Sequence, residues 1–117
     1  MIWEVVFSQV VTDWLDQIDD DTYALFQAAV RVLREEGPSL GRPLADRVRG
    51  SRVHNTKELR PGSTGHSEVR ALFVFDPSRH AVILIVGDKS NQWDAWYKQA
   101  IPQAERIYAA YLRGEKI

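Results

Sequence analysis

The sequence predicts an α+β domain in which an N-terminal helix hairpin covers one face of a small, mostly antiparallel sheet. Two helical patterns of apolar residues follow a short apolar run, three strand-like runs then succeed one another, and a last helical pattern closes the chain. The resulting order is β-α-α-β-β-β-α, which is typical of an α+β fold. At 117 residues, with 44% apolar and 26% charged side chains, the chain is expected to form a single domain over residues 1–117.

The first 37 residues predict one strand and two helices. Residues 2–7, IWEVVF, are rich in β-branched and aromatic side chains, as strands are. Ser8 is suited to cap the first helix, the acidic run at 19–21 supplies a turn and an N-cap for the second, and Gly37 with Pro38 ends it. Apolar residues at helical spacing define two buried faces: Val10, Val11, Trp14, Leu15 and Ile18 on the first helix, and Leu25, Phe26, Ala29, Val30 and Leu33 on the second.

The rest of the chain predicts three strands and a closing helix. Residues 38–51 mix prolines and glycines with arginines, which indicates an ordered loop. Strands are predicted over residues 52–60, 68–75 and 80–87, and the last of these, HAVILIVG, is the most apolar and is expected to be central. A polar, aromatic segment over residues 88–98 precedes a helix that is predicted to begin at Pro102, because proline suits the first helical position.

Side-chain alternation sorts charged residues onto one face of the predicted sheet. Even-numbered positions of the strand over residues 52–60 share a face, which includes Glu58 and Arg60. Arg70 has the matching position on the next strand, and Lys89 follows the end of the last strand. We therefore expect a polar face that carries Glu58, Arg60 and Arg70 within reach of Lys89. The opposite, apolar face lies under the helices, and Lys57 points towards it.

Two arginines, a lysine and a carboxylate on a sheet surface fit an RNA phosphate. Guanidinium groups hold phosphate oxygens through two parallel hydrogen bonds, and a carboxylate can accept a proton. The tryptophans and the tyrosine of residues 93–97 are either core aromatics or platforms on which bases stack. A structural interpretation is the commoner role for such residues, in which they form ion pairs on a solvated face: Arg60 with Glu58, or Arg70 with Glu68.

The net charge of −1 conceals an uneven distribution. Residues 1–36 contain eight acidic and two basic side chains, which gives −6. Residues 37–98 contain ten basic and six acidic side chains, which gives +4. This asymmetry suggests an anion at one face of the domain and a different partner at the other, although the charge pattern taken alone favours a solvated acidic helix pair.

Several functional classes are not expected. The chain has no cysteine, which excludes disulfides, thiolate zinc sites and thiol nucleophiles. Its three histidines, His54, His66 and His80, lack a metal-ligand spacing, so no metal or cofactor is predicted. No window approaches the roughly 18 apolar residues of a membrane span, and no leader pattern opens the chain. We therefore expect no membrane association, and the cytoplasm is the expected compartment.

The ordered set of motifs resembles the RelE/HigB superfamily of bacterial toxins, and within it the phage-derived HigB-like branch. The resemblance spans essentially the whole chain, because the family also has the order β-α-α-β-β-β-α. The residues that carry it are Glu58-Leu59-Arg60, Val69-Arg70-Ala71-Leu72, Val86-Gly87-Asp88-Lys89, and Ile101-Pro102 with Ala104.

This resemblance implies the toxin of a type II toxin–antitoxin pair. Such a toxin is an endoribonuclease that cleaves mRNA on the ribosome without a metal, and its partner is a helix-turn-helix antitoxin of the HigA type. The implied catalytic residues are Glu58 as general base, with Arg60, Arg70 and Lys89 holding the scissile phosphate. The implied RNA-binding residues are His54, Lys57, Trp93 and Tyr97.

A second interpretation assigns the same fold to a protein without catalytic activity that only binds an antitoxin or repressor subunit. Thr56 occupies a position where strongly basic members of the family have a lysine, and the chain is mildly acidic overall. Both features would weaken contacts with RNA phosphates.

Overall fold

The computed structural model describes residues 2–53 and 55–117, and at Trp93 it describes the backbone alone. A short 3-10 turn spans Gly37–Ser39. None of the helices in the described residues is long and apolar enough to cross a membrane. The strands and helices, in chain order, are β1 Glu4–Phe7, α1 Gln9–Leu15, α2 Asp20–Glu36, β2 Ala45–Arg47, β3 Lys57–Leu59, β4 Val69–Phe75, β5 His80–Asp88 and α3 Trp93–Leu112.

The strands form one mixed sheet in the order β1-β5-β4-β3-β2. β1 pairs in parallel with β5, and the other three pairings are antiparallel. The predicted α+β class and the mostly antiparallel sheet are therefore confirmed. β5 is an interior strand as expected, but β4 is the middle one.

The helix hairpin covers one face of this sheet, as predicted. Side chains of α1 and α2, among them Val11, Phe26 and Leu33, pack with Phe73 and Ile83 in one buried cluster. Ser8 caps α1 by accepting the Val11 N–H at 3.3 Å, and its hydroxyl donates to the Leu84 carbonyl of β5 at 2.7 Å. The cap thus also fixes the helix to the sheet.

The opposite face differs from the prediction, because it is a second core and not a solvated polar surface. Leu72, Val74 and Val82 are at most 2% exposed there and pack against Ala100 and Ala104 of α3. The alternation of side chains was predicted correctly. Leu72 and Val74 nevertheless lie on the same face as Arg70. Two apolar side chains of this size are stable there only when another element packs over them and removes them from water. Only one end of the face is polar.

The helix that provides this cover begins nine residues earlier than predicted. α3 starts at Trp93 and contains Pro102 in its interior. A proline there lacks the N–H that would bond to the Lys98 carbonyl, but both residues are exposed, so solvent can satisfy that carbonyl. The preference of proline for helix starts was therefore a misleading signal.

The strands before β4 were also predicted inaccurately. The segment over residues 38–51 contains the short strand β2, which pairs with β3 and forms an edge of the sheet. The predicted strand over residues 52–60 is reduced to β3, Lys57–Leu59. The predicted strands over residues 68–75 and 80–87 correspond closely to β4 and β5.

Gly87 is the point at which the start of α3 approaches β5. A Cβ atom built at this residue would lie 2.6 Å from the indole Nε1 of Trp96 and 3.3 Å from its Cε2. Trp96 is partly buried against the second core. Glycine at position 87 therefore lets the first turns of α3 pack directly on the sheet.

We expect Gly87→Ala to lower the free energy of unfolding by about 1–3 kcal/mol, because the indole must move out of a packed position. Gly41→Ala is the matched control, since a Cβ atom there meets nothing within 4 Å. Its effect should stay within about 0.5 kcal/mol. Urea denaturation of both variants tests this, and equal effects would show that Gly87 and Trp96 do not pack tightly.

A buried carboxylate, Asp76, organises the turn between β4 and β5. It accepts the Ser78 N–H at 2.9 Å, the His80 N–H at 2.8 Å and the Tyr111 hydroxyl. Burial alone would raise the pKa of Asp76, but the bonds from Tyr111 and His80 outweigh it and hold that pKa below its ordinary value. Burial and the bond to Asp76 raise the pKa of Tyr111 to about 12.

The lowered pKa predicts a pH dependence of stability. The contribution of ionised Asp76 is present above the unfolded-state pKa of about 4 and is lost as the pH falls through the lower, folded-state pKa. Asp76→Asn should therefore cost about 1–3 kcal/mol at pH 7, and the difference from the wild type should shrink towards pH 3. The exposed Asp16→Asn is the charge-matched control. A difference that stays constant between these pH values would contradict the assignment.

Candidate functional site

Glu58 is the buried carboxylate at the polar end of the second face. It is 3% exposed, and it lies opposite Leu72 of β4 and Asp46 of β2. Its Oε1 accepts the Arg60 Nε–H at 3.0 Å and an Nη2–H at 2.7 Å. Its Oε2 accepts the Tyr97 hydroxyl at 2.6 Å. Three hydrogen bonds compensate for burial of this charge.

Arg60 follows β3 and is shared by two carboxylates. Besides Glu58, its Nη2 donates to Asp46 Oδ2 at 3.2 Å. Asp46 in turn accepts the Arg42 Nε–H at 3.0 Å and the Arg47 backbone N–H at 2.8 Å. The bond to Glu58 raises the pKa of Arg60, so the guanidinium is always charged.

Tyr97 lies at the centre of the cluster and comes from the second turn of α3. Its ring packs edge-on against Trp96 with centroids 5.0 Å apart, and the Lys89 Nζ lies 5.3 Å from its centroid. Burial, followed by the bond to Glu58, raises the pKa of the phenol well above its ordinary value. Tyr97 is therefore a hydrogen-bond donor at neutral pH and not a base.

Arg70 reaches the same cluster from β4. On β4 it lies two residues before Leu72, the cross-strand partner of Glu58, on the same face of the sheet. Its positive charge and that of Arg60 both act to lower the pKa of Tyr97, against the larger effects of burial and Glu58. The Arg70 side chain is 16% exposed, its Nη1 donates to the Val69 carbonyl at 2.9 Å, and its Nη2 lies 3.9 Å from Glu68 Oε1. Within residues 2–53 and 55–117, the buried Nε of Arg70 has no hydrogen-bond partner.

Lys89 is the third cation, and it directly follows β5. It is 8% exposed, and its backbone N–H donates to the Glu68 carbonyl at 3.0 Å. A lysine this buried is uncommon unless it has a structural or functional role. The structure thus brings together all four residues that the sequence suggested as catalytic: Glu58, Arg60, Arg70 and Lys89.

A groove of about 990 Å³ adjoins this cluster, and Glu58 and Tyr97 belong to its lining. It runs between α3 and the loop that follows β2, with Val48 and Ile101 among its apolar contacts. Five of its lining side chains are basic and three are acidic, so the groove is net positive although the chain is net negative. The basic residues are Arg47, Arg49, Arg52, Lys98 and Arg106.

The structure treats the four predicted RNA-binding residues differently. Tyr97 joins the cluster through its hydroxyl, and its ring is already packed by Trp96 and Lys89. Lys57 lies elsewhere, because its Nζ donates to the Pro38 carbonyl at 3.4 Å and sits 5.5 Å from the Phe75 ring centroid. His54 and the side chain of Trp93 lie outside the described residues.

Two contacts of the site were not predicted from the sequence. The bond from Arg60 to Asp46 was missed because β2 was assigned to a loop. The bond from Tyr97 to Glu58 was missed because the residues that begin α3 were also not assigned to a helix. Thr56, noted only as a replacement for lysine, is 5% exposed and donates to the Val53 carbonyl at 3.0 Å. Within the described residues, no three histidine or acidic side chains are grouped as metal ligands would be.

The chain is similar in sequence to a known protein family. The model of the Gp49 family, described as "Phage derived protein Gp49-like (DUF891)", matches residues 13–109. The chain belongs to this family. The resemblance to RelE/HigB-type toxins that the sequence suggested is thereby confirmed.

Two relatives come from Mycobacterium tuberculosis (strain ATCC 25618 / H37Rv). The candidate toxin HigB2 is 53% identical over 102 residues, which are 87% of this chain and 51% of HigB2. The candidate toxin HigB3 is 40% identical over 111 residues, which are 95% of each protein. This chain therefore spans about half the length of HigB2 and nearly all of HigB3.

Two solved structures share the fold at low sequence identity. One is from the RelBE2 toxin–antitoxin complex of M. tuberculosis, with a TM-score of 0.58 and 19% identity, covering 75% of this chain and 99% of that chain. The other is a free arginine-to-alanine double mutant of the E. coli toxin RelE. Its TM-score is 0.59 and its identity 11%, and the match covers 80% of this chain and 90% of that chain.

The Tyr97–Glu58 hydrogen bond predicts a specific loss of stability. Tyr97→Phe leaves a buried carboxylate oxygen without its donor, which should cost about 1–3 kcal/mol. Because the pKa of the folded-state phenol is raised, this contribution is present at neutral pH and decreases above pH ~10. The control is Tyr23→Phe, at a residue that is 44% exposed. Equal unfolding free energies for the two variants at pH 7 would contradict the bond.

Proposed function

We propose that this protein is the toxin of a type II toxin–antitoxin pair and that it acts as an endoribonuclease on mRNA. The observation that carries the proposal is the arrangement of Arg70. Its guanidinium is mostly buried, its Nε has no hydrogen-bond partner within the described residues, and its charge acts on the Tyr97 phenol that donates to Glu58. A buried donor left without an acceptor is unfavourable, so a ligand oxygen at this position would complete the site.

The proposed phosphate-binding groups are the three cations of the cluster. Arg70 offers the uncommitted Nε–H, Lys89 contributes a compact positive charge, and Arg60 contributes a guanidinium oriented by Glu58. Charges that are fixed before the substrate arrives stabilise the extra negative charge of a pentavalent phosphorus without reorganising. A solvated ion-pair surface would not require such burial.

Glu58 is the proposed general base. A carboxylate offers about four acceptor positions, and Arg60 and Tyr97 use three of them, which leaves one on Oε2. In the proposed reaction this oxygen takes the proton of a ribose 2′-hydroxyl. The 2′-oxygen then forms a bond to phosphorus, the bond from phosphorus to the 5′-oxygen breaks, and the 5′-oxygen takes a proton from solvent. The products are a 2′,3′-cyclic phosphate and a 5′-hydroxyl.

The groove beside the cluster provides a path for the flanking nucleotides. Its basic side chains can contact backbone phosphates, and its apolar floor can contact bases of a single strand. The chain nevertheless has a net charge of −1, so its affinity for free RNA should be low and sensitive to salt. We therefore propose that the ribosome presents the mRNA.

The acidic part of the chain is the proposed docking face for an antitoxin. Residues 1–36 carry −6 and include α1 and α2, on the face of the sheet opposite the cluster. This charge would repel RNA and attract a basic segment of a helix-turn-helix antitoxin of the HigA type. The RelBE2 neighbour comes from a toxin–antitoxin complex, which supports an antitoxin as the partner.

The alternative function is a non-catalytic protein that only binds such a partner. The observation in its favour is that Arg60 is already engaged by Glu58 and Asp46, as in a structural ion-pair network. The two functions differ in what removal of Arg70 should do.

Arg70→Ala should abolish toxicity and reduce the rate of mRNA cleavage by about 100-fold or more, and Arg70→Lys should be impaired because it lacks the planar fork. Stability should change by no more than about 1 kcal/mol, since the lost group is incompletely bonded. Growth after induction, mapped mRNA 5′ ends and thermal unfolding measure these effects.

The matched control is Arg31→Ala, an exposed arginine on α2. It should remain fully toxic. If Arg70→Ala is as toxic as the wild type, Arg70 is not in the active site. If the wild-type protein itself is soluble, harmless and leaves mRNA ends unchanged, the endoribonuclease proposal is wrong and the binding-only function is favoured.

A further inference from the structure

Arg60 has two edges on which it can hold a pair of oxygens, and both are engaged by carboxylates. The side-on edge consists of Nε and Nη2, and the end-on edge consists of Nη1 and Nη2. Glu58 Oε1 occupies the side-on edge at 3.0 and 2.7 Å. Asp46 Oδ2 takes the remaining hydrogen of Nη2 at 3.2 Å, and so interrupts the end-on edge. A phosphate can obtain a two-pronged grip on Arg60 only where one of these carboxylates leaves.

Asp46 is the more weakly held of the two. It makes one hydrogen bond to Arg60, whereas Glu58 makes two shorter ones and is also held by Tyr97. The Asp46 side chain is 20% exposed, and that of Glu58 is 4% exposed. Asp46 also lies on the edge strand β2, which pairs with a single neighbour.

Asp46 has other partners that remain after it leaves Arg60. The Arg47 backbone N–H donates to its Oδ1, and the exposed Arg42 donates to its Oδ2. Asp46 and Glu58 also face each other directly across β2 and β3, where two negative charges repel. Arg60 relieves that repulsion in the resting protein, and Arg42 can hold Asp46 when Arg60 is engaged by a ligand.

We propose that Asp46 gates the anion site at Arg60. It closes the end-on edge in the resting protein, and an incoming phosphate displaces it towards Arg42. This inference rests on the proposed function only in taking the natural anion to be an RNA phosphate. Asp46 thereby sets the affinity and the selectivity of the site, because only an anion that binds Arg60 more strongly than this carboxylate gains access.

The test is a titration with inorganic phosphate, followed by NMR through the Nε–H resonance of Arg60. Asp46→Asn removes the charge but keeps an oxygen for the Arg47 N–H, so β2 should stay in place, which thermal unfolding verifies. We expect Asp46→Asn to bind phosphate about fivefold to tenfold more tightly than the wild type, as expected for loss of one nearby charge at a partly exposed site.

Asp94→Asn is the matched control, because Asp94 is an exposed acid that lines the groove beside Glu58. Its affinity for phosphate should stay within about twofold of the wild type. An Asp46→Asn variant that binds phosphate no more tightly than Asp94→Asn would overturn the gate. So would an Arg60 resonance that phosphate does not shift in either protein.

Failure of the gate and failure of the proposed function give different results. Tighter phosphate binding by Asp46→Asn in a protein that cleaves no mRNA supports the gate and removes the endoribonuclease proposal. Unchanged phosphate binding in a protein that does cleave mRNA overturns the gate and leaves the proposal in place.

Discussion

The buried carboxylate of Glu58 is the interaction on which the site depends. A charge that is 3% exposed is tolerated only where hydrogen bonds replace its hydration. Here the donors come from two elements that are distant in the chain, Arg60 after β3 and Tyr97 in α3. The requirement to satisfy Glu58 therefore fixes the start of α3 over the end of the sheet. The Tyr97 phenol thereby comes to lie beside Lys89, which follows β5.

α3 contributes both to the second core and to the candidate site. Its middle covers the apolar part of the second face through Ala100 and Ala104, and its first turns carry Tyr97 and line the groove. Close packing of Trp96 on Gly87 connects the two roles, because it sets how near the helix approaches β5. The acidic helices lie on the other face, so the sheet separates the negative part of the domain from its cationic cluster.

Much of this architecture could be predicted from local patterns. The capping residues Ser8 and Asp19, the glycine stop at Gly37 and the alternation that groups Glu58 with Arg70 are each set by a few neighbouring residues. The order of elements, together with the motifs around Glu58, Arg70 and Lys89, then carried the resemblance to the RelE/HigB-type toxins. The features that were missed depend on contacts across the sheet. β2 has three residues among prolines and arginines and is stabilised only by pairing with β3, and the bond between Asp46 and Arg60 follows from that pairing.

The most direct test of the proposed chemistry is to identify the ends that the protein leaves on ribosome-bound mRNA. A purified, ribosome-bound message can be compared with one that carries a single 2′-deoxynucleotide at the mapped cleavage position. With the 2′-hydroxyl as nucleophile and Glu58 as its base, mass spectrometry should find a 2′,3′-cyclic phosphate at the cut, and the deoxy-substituted message should stay intact at that position. Cleavage of the deoxy-substituted message at the same position would contradict the account.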